Sequence, residues 1–486
     1  MNNRKNLQPG TGGAQQLAKM WLLLDMRGIS PYTREKWNVC SRKSPMRSAV
    51  KIPLLVGEQE AAILDSQSKI ANWLYNTLLE QANALRKQYR ATQDKQVGLT
   101  LYTERGLRNL IPDLKAQHPF VKVVYSSVLK NAALRLSKAI RDYQDGKHGR
   151  RANQVNWPKF RAWKRKWFSL QYDEPWKGYA LAERTLTLTL GQDATGKQLQ
   201  VEVKLAETLP HWVNRDHIRQ CRIVKEGHLY SVVFSVERLL PNGKPLSPAK
   251  IVALDPNHKN FAYAVGTDGK ATEIQNPYFL KTVDKRIDQL KAKRDKCQKQ
   301  SKQITRPDGS TYWMPSRRWC MLNACLQEVY RIRREQTKQF LYTIAHRLYH
   351  DYDAVGIGDY VPHGGGITRK MRRSMNNQSL NRRFKHVLAW VALRSGKQYL
   401  EWEEGGSTRT CHDCGFVVQG GIPVEIREWD CPGPDCTSHH IRDENAARNG
   451  LTRTLKALGL PCSGRREVSS RRAWRFNGLG LTSGGR

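Results

Sequence analysis

Two kinds of metal-binding side chain are interleaved towards the C-terminal end of this sequence. Four cysteines come as a CxxC pair, Cys411 and Cys414, and a second pair, Cys431 and Cys436, in REWDCPGPDC. Pairs spaced in this way form two tight knuckles that present four thiolates to one tetrahedral Zn²⁺, a ribbon whose metal is structural. Carboxylates lie on both sides of it: Glu403 and Glu404 precede the ribbon, and Asp443 follows it in HHIRDENAARN. The ribbon therefore reads as an insertion between two pieces of one acidic site, which suggests metal-ion catalysis beside a structural zinc.

A further acid, Asp255, interrupts the apolar run IVALDPNHKNFAYAV that begins at Ile251. A carboxylate at the end of a hydrophobic strand is held rigidly, as a metal ligand needs to be. Asp and Glu suit Mg²⁺, a hard cation that prefers oxygen ligands. In-line attack on a phosphodiester builds charge on both the entering and the leaving oxygen. Two Mg²⁺ ions about 3.5 to 4 Å apart stabilise those charges, and clustered acids hold the ions. His439 and His440 read as structural or phosphate-contacting, with exchange of either for a cysteine in the zinc set left open.

Composition names the class of substrate. With 82 Lys+Arg against 43 Asp+Glu, the formal charge of the 486 residues is +39. Such a field attracts polyanions and gains affinity by releasing counterions from phosphates. A ribosomal-type protein would be shorter, and 39% hydrophobic residues with 14 Trp are enough to build cores in two to four domains. The remaining cysteines, Cys40, Cys221, Cys297, Cys320, Cys325 and Cys462, are scattered as in a reducing compartment. Cys320 and Cys325 fall in a helical pattern and read as buried apolar residues. No apolar run is long enough to cross a membrane, and Met20 to Met26 is too short and wrongly flanked for a signal peptide. The expectation is a soluble, cytoplasmic protein of a prokaryotic cell, nucleoid-associated when bound.

The elements that must position these groups follow in order. Residues 1–44 read as a partly disordered extension. Pro45 to Val56 reads as a strand ended by Gly57, and Glu58 to Arg90 and Ser126 to Tyr143 as helices with one apolar face each. Between Gly146 and Phe168, Lys147, Arg150, Arg151, Lys159, Arg161, Lys164, Arg165 and Lys166 alternate with Trp157, Phe160, Trp163 and Trp167. Basic groups neutralise phosphates while flat rings stack on bases, so this segment is a candidate nucleic-acid surface; a solvated basic loop with packed tryptophans is the plainer alternative. Strands at 185–190, 199–205, 218–224 and 229–236 predict a small β-barrel interrupted by the earlier helices. After the strand carrying Asp255, a long helical pair fills 277–349, with Cys325, Val329, Ile332, Phe340, Ile344 and Leu348 among the apolar positions of its second helix. A strand then ends at Gly358-Asp359-Tyr360, followed by a Gly-rich basic loop over 361–379, with Arg369, Lys370, Arg372 and Arg373, that reads as a mobile lid and a second nucleic-acid contact. A helix at 380–395 and a strand at 397–402 lead to the ribbon. Pro461 to Arg486, rich in Arg, Gly and Ser, reads as a flexible basic tail.

The segments LDPNHKNFA (Leu254 to Ala262), GIGDY (Gly356 to Tyr360), STRTCHDCG (Ser407 to Gly415), REWDC and HHIRDENAARN, in this order, resemble the RuvC-like nuclease half of the transposon-encoded TnpB proteins and of the compact type V CRISPR effectors. The match covers Ile251 to Leu451. It implies an α/β multidomain fold: an RNase H-like RuvC domain with an inserted zinc ribbon, and a β-barrel wedge domain with an inserted helical recognition domain. The wedge would be 45–57 and 146–250, the recognition insertion 58–145, the nuclease 251–402 and 439–460, the ribbon with its preceding acidic strand end 403–438, and the tail 461–486. The resemblance further implies an RNA-guided DNA endonuclease, with guide RNA, double-stranded target DNA, two Mg²⁺ and one Zn²⁺, and it admits a homodimer on one RNA.

Carried over residue by residue, the pattern makes Asp255 the first and Asp443 the last catalytic acid and Cys411, Cys414, Cys431 and Cys436 the zinc ligands. The middle acid departs from it: where the family has Glu, this chain has Gly358. Three readings compete. Glu404, in a frame resembling the rearranged site of some TnpB relatives and of the Fanzor proteins, takes over, with Glu403 the alternative because strand register is not fixed; Asp359 serves directly; or the site is dead and the protein is an RNA-guided DNA-binding regulator.

Overall fold

The computed structural model describes residues 46–151, 153–161, 167–239, 241, 250–257, 260–277, 279–305, 309, 311–359, 380–423, 425–462, 468–477 and 480–485. The expectations for residues 1–44, for Trp163, Lys164, Arg165 and Lys166, and for the loop 361–379 with Arg369, Lys370, Arg372 and Arg373 lie outside the described residues. The chain divides into two compact units, one within Ser44–Leu239 and one within Leu240–Arg486.

In the first unit, β1 (Met46–Leu55) alternates strictly, with Met46, Ser48, Val50, Ile52 and Leu54 inside, as a half-buried strand must. Helix α1 (Glu58–Thr92) opens with Glu58 and Glu60 in the turn where the backbone dipole favours anions, and buries Leu64, Ala71, Leu74, Leu78 and Ala82. Two short helices were not legible in the sequence: α2 (Lys95–Tyr102), capped by the Asp94 carboxylate on the Gln96 amide, and α3 (Ile111–Gln117). The longer α4 (Ser126–Lys147) buries Val128, Leu129, Ala132, Leu136 and Ile140.

Strands β2 (Trp167–Tyr172), β3 (Tyr179–Ala182), β4 (Thr185–Gln192), β5 (Gln198–Leu205), β6 (Ile218–Glu226) and β7 (Leu229–Arg238) complete an antiparallel sheet in the order β2-β6-β7-β1-β5-β4-β3. Met46 to Pro53 pair with β7 while Leu54 and Leu55 pair with β5, so β1 passes from one half of the sheet to the other. Both halves and the helices share one core, with Ile52, Leu188, Val203 and Phe234 in it. The expected barrel is thus a curled strip whose end strands β2 and β3 are not paired with each other. Near those ends, the Tyr179 hydroxyl of β3 donates to the Ile218 carbonyl of β6 at 3.3 Å.

The second unit is built on β8 (Ile251–Pro256), β9 (Ala262–Gly266) and β10 (Lys270–Ile274), three consecutive antiparallel strands. Helix α5 (Phe279–Lys296), the hairpin β11 (Lys302–Thr305) and β12 (Thr311–Met314), and helix α6 (Arg317–Asp351) lead to β13 (Ala354–Gly358). Helix α7 (Asn381–Ser395) then leads to β14 (Gln398–Trp402), and both β13 and β14 run parallel to β8. A small hairpin of β15 (Glu428–Asp430) and β16 (His439–Ile441) precedes α8 (Arg442–Ala457). β8 and β13 are buried throughout, because helices cover both faces. Val252 and Leu254 pack with Phe340, Ile344, Phe384 and Leu388 of α6 and α7, while Ile251 and Ala253 pack with Ala447, Leu451 and Leu455 of α8.

Two expectations are corrected. Cys320 and Cys325 are exposed: the buried stripe of α6 runs through Leu326, Val329, Phe340, Ile344 and Leu348, and Cys325 sits one residue, about 100° of helix, off it; Ile332 is off it too. The C-terminal stretch is not a flexible tail in its described part. β17 (Ser470–Phe476) pairs parallel with β10 and β18 (Leu481–Gly485) pairs with β17, extending the sheet to the order β14-β13-β8-β9-β10-β17-β18. Trp474 explains this, being 3% exposed in the same core as Phe340, and its burial outweighs the charge of the arginines around it. Among the described residues no helix is long and apolar enough to cross a membrane.

Candidate metal centres

Because β8, β13 and β14 are parallel, their carboxyl ends lie at one edge of the sheet, where open α/β sheets place their ligands. Asp255 is the penultimate residue of β8 and only 7% exposed. Burial pushes its carboxyl well above the usual range, and the charges of Glu404 and Asp443 push it further, against Arg442. Both carboxylates are thus close enough for their charges to act on Asp255. Asp443 stands in the first turn of α8, its side chain 13% exposed, with Arg427 Nη1 at 3.4 Å. Glu404 is half-buried, Glu403 exposed.

Gly358, at the end of β13, has no side chain, and the reason is steric. A Cβ built there would stand 1.9 Å from Glu404 Oε1 and 2.6 Å from its Cγ and Cδ. The glutamate of the neighbouring strand end thus fills the space that an acid at 358 would need. Asp359 is exposed, and its carboxylate accepts the Glu404 amide at 3.0 Å.

The Glu404 backbone lies beyond the end of β14 and is held by side chains and one backbone turn bond instead of a ladder. Arg453 of α8 donates to the carbonyls of Glu403 and, at 3.0 Å, Gly405. The Glu404 carbonyl accepts from Ser407 N–H at 2.9 Å. Asn445 and Asn449, one turn apart on α8, both donate to the carbonyls of Ser407 and Thr410, and Asn445 also accepts the His412 amide at 2.9 Å. Arg448 reaches Asp413 at 3.0 Å, both nearly buried. These residues sequence reasoning did not single out, although DENAARN has the i, i+4 spacing that puts two amides on one helix face.

Four thiols form the second centre. The sulfurs of Cys411, Cys414, Cys431 and Cys436 all lie within 4.8 Å of one another, Cys411 to Cys436 at 3.9 Å and Cys414 to Cys431 at 3.5 Å. A tetrahedral ion with Zn–S near 2.3 Å separates its sulfurs by about 3.8 Å, so the cluster fits one zinc. Backbone amides of Phe416 and Gly433 point at Cys414 and Cys431 Sγ at 3.4 Å each, supporting thiolates. His440 is buried against Trp429 with Nε2 3.0 Å from Cys411 Sγ, outside the group of four. His439 is exposed and pairs with Asp430 at 2.8 Å. Among the described residues no other three His, Cys, Asp or Glu ligand atoms come within 4.8 Å of one another.

Residues 382–450, from α7 through the thiol cluster into α8, match the Cas12f1-like TNB domain family. A protein of Streptomyces pristinaespiralis named "Putative RNA-guided DNA endonuclease" is 32% identical over 130 residues, which is 24% of this chain and 28% of that protein. A cryo-EM structure of a Cas12f1–sgRNA–target DNA complex superposes with a TM-score of 0.52 over 81% of this chain and 83% of that one, at 10% identity, a likeness of fold. Over residues 382–450, then, the chain is similar to the Cas12f1-like proteins, and its fold resembles that of a Cas12f1.

The described part of the basic aromatic segment is more committed than its composition suggests. Arg151 pairs with Asp142 at 3.0 Å and Arg150 with Asp145 at 3.7 Å. Trp157 donates to Asn83 and lies under the Arg86 guanidinium at 4.1 Å. Arg161 lies over Tyr75 at 3.5 Å, its backbone bonded both ways to Asn76. Lys147 and Lys159 point to solvent. In the first unit, then, tryptophan and arginine bolt the segment to α1 and α4, and Lys147, Lys159 and Phe160 remain exposed.

Proposed function

We propose that the chain is an RNA-guided DNA endonuclease, hydrolysing phosphodiester bonds of a target recognised by guide-RNA pairing and a short flanking motif. The helices of 58–145 would be its recognition insertion and the curled sheet its wedge. The sheet of the second unit, three antiparallel strands followed by two parallel ones reached through helices, is the order an RNase H-like nuclease needs. One observation carries the reading: Glu404 fills the space that an acid at position 358 would occupy. The acid missing from β13 would thereby be replaced from the chain just past β14, and a dead site has no need of that substitution.

In this reading Asp255, Glu404 and Asp443 hold two Mg²⁺. When bound, these ions supply Lewis-acid stabilisation of the attacking and leaving oxygens and an acidified water. The protein's part is preorganisation. β8 fixes a carboxylate where burial opposes its ionisation without a cation; the first turn of α8 supplies Asp443; and side chains instead of strand pairing fix Glu404. Three facing carboxylates repel one another, so a cation relieves a repulsion already built into the fold. The thiols hold one structural zinc, which ties the two knuckles of the ribbon together.

The test is incubation of the protein and its own RNA with Mg²⁺ and a target carrying randomised flanks. Cutting that is lost in Asp255→Asn, Glu404→Gln and Asp443→Asn, with target binding kept, is the expected result. Binding without cutting by the unaltered protein overturns the nuclease reading in favour of a guided regulator.

A further inference from the structure

Asp359 sits beside the acid cluster, carries a carboxylate, and follows the position where an acid is missing, so it is a natural candidate for a metal ligand. Its geometry says otherwise. Its Oδ1 accepts the backbone N–H of Glu404 at 3.0 Å, and its own N–H donates to the Trp402 carbonyl at 2.9 Å. Asp359 therefore continues the β13–β14 ladder by one step, with a side-chain oxygen serving where the next backbone carbonyl would. Across the same peptides Arg453 binds the carbonyls of Glu403 and Gly405.

We propose that Asp359 and Arg453 are positioning residues that hold the Glu404 backbone so that its carboxylate lies over Gly358, facing Asp255. This rests on the endonuclease reading above and adds the device by which an acid displaced past a strand end is made rigid. A glutamate on an unpaired strand end would otherwise sample several backbone conformations, and a metal ligand must be fixed to within about 0.5 Å. The side chain required at 359 is an acceptor, and its charge is incidental. The role of a ligand would be the reverse, since it needs the charge.

Asn keeps the acceptor oxygen and loses the charge, so Asp359→Asn separates the two roles, and Asp359→Ala removes both. Arg453→Ala tests the other half of the clamp. The readouts are Mn²⁺ binding to the full chain, followed by the free-ion electron paramagnetic resonance signal, and the Mg²⁺ concentration at half-maximal cleavage by the RNA-loaded protein. Unchanged zinc content and melting temperature exclude a folding defect. Outer-shell partners of metal ligands typically contribute about 10- to 100-fold in affinity. The expected result is that Asp359→Asn stays within about threefold of the unaltered protein in both readouts. Asp359→Ala and Arg453→Ala should each shift both by about tenfold or more, with cleavage recovering at high Mg²⁺. Loss in Asp359→Asn equal to that in Glu404→Gln overturns the proposal and makes Asp359 a ligand. Indistinguishable behaviour of Asp359→Ala overturns it while leaving the endonuclease reading intact. If Glu404→Gln changes neither readout, the relocated acid itself is wrong and the positioning role falls with it.

Discussion

At the scale of single residues, Asp255 carries a thermodynamic load. Its carboxyl is raised by burial and by the charges of Glu404 and Asp443. A raised folded-state value means that the native protein holds a proton which the unfolded chain has released, so stability falls as pH rises from the unfolded value, about 3.9, through the folded one. In metal-free protein at neutral pH, Asp255→Asn is therefore expected to raise the melting temperature, by about 2 to 4 °C for each kcal/mol of relieved repulsion in a unit of this size. Millimolar Mg²⁺ should stabilise the unaltered protein more than this variant. A scanning-calorimetry series in chelator from pH 5 to 8 checks both, and a variant that melts lower throughout contradicts the placement of the three acids. Catalytically, Glu404→Gln should slow cleavage by about 10³-fold or more, the scale of losing one charged ligand of a two-metal site, whereas Glu403→Gln should stay within about threefold. The clustering of the four cysteines was legible from spacing, while Asp255 and Asp443 stood out as candidates through their setting and the family resemblance. The nearness of Glu404 rather than Glu403 to Gly358 was not legible, because it depends on how the chain runs past the end of β14, which only the folded structure sets.

At the scale of elements, α8 is the organiser. Its first turn carries Asp443, Glu444 beside it is buried and accepts from Nε and Nη2 of Arg471 at 2.8 and 3.0 Å and from the Tyr263 hydroxyl at 3.0 Å, and its amides and Arg453 hold the chain entering the ribbon. Arg471 comes from β17, in a stretch whose composition reads as a solvated terminus. Composition misled there because Trp474 is a single buried anchor among arginines, too sparse a pattern to register as a strand. Arg471→Ala leaves Tyr263 as the remaining partner of Glu444 among the bonds described, and should cost about 1 to 3 kcal/mol, measurable as a lower melting temperature, with a weaker effect on cleavage than Glu404→Gln. The ribbon was legible in full as a four-thiol set. Elemental analysis should give one zinc per chain, and Cys431→Ser should lose the metal together with protection of 411–440 from proteolysis; a protected variant contradicts a zinc-dependent ribbon.

At the scale of the whole molecule, a charge of +39 makes ionic strength the controlling variable. RNA affinity should fall with salt along a log–log line whose slope is about −0.7 for each phosphate neutralised. Neutralising Lys147 and Lys159 together should flatten that slope by up to about 1.4, measured by filter binding between 50 and 300 mM salt. Exchanging Arg161, stacked on Tyr75, should act on stability first. Sequence alone could not divide these cations into packing and binding groups, since both uses favour the same interleaving of Arg with Trp.

The contact between Gly358 and Glu404 couples the two positions. A glutamate placed at 358 would collide with the one at 404, and removal of the latter alone would leave the proposed site an acid short. Neither change should be tolerated by itself, so the two positions can only be exchanged as a pair. Gly358→Glu and Glu404→Gly made together should cut better than either change alone.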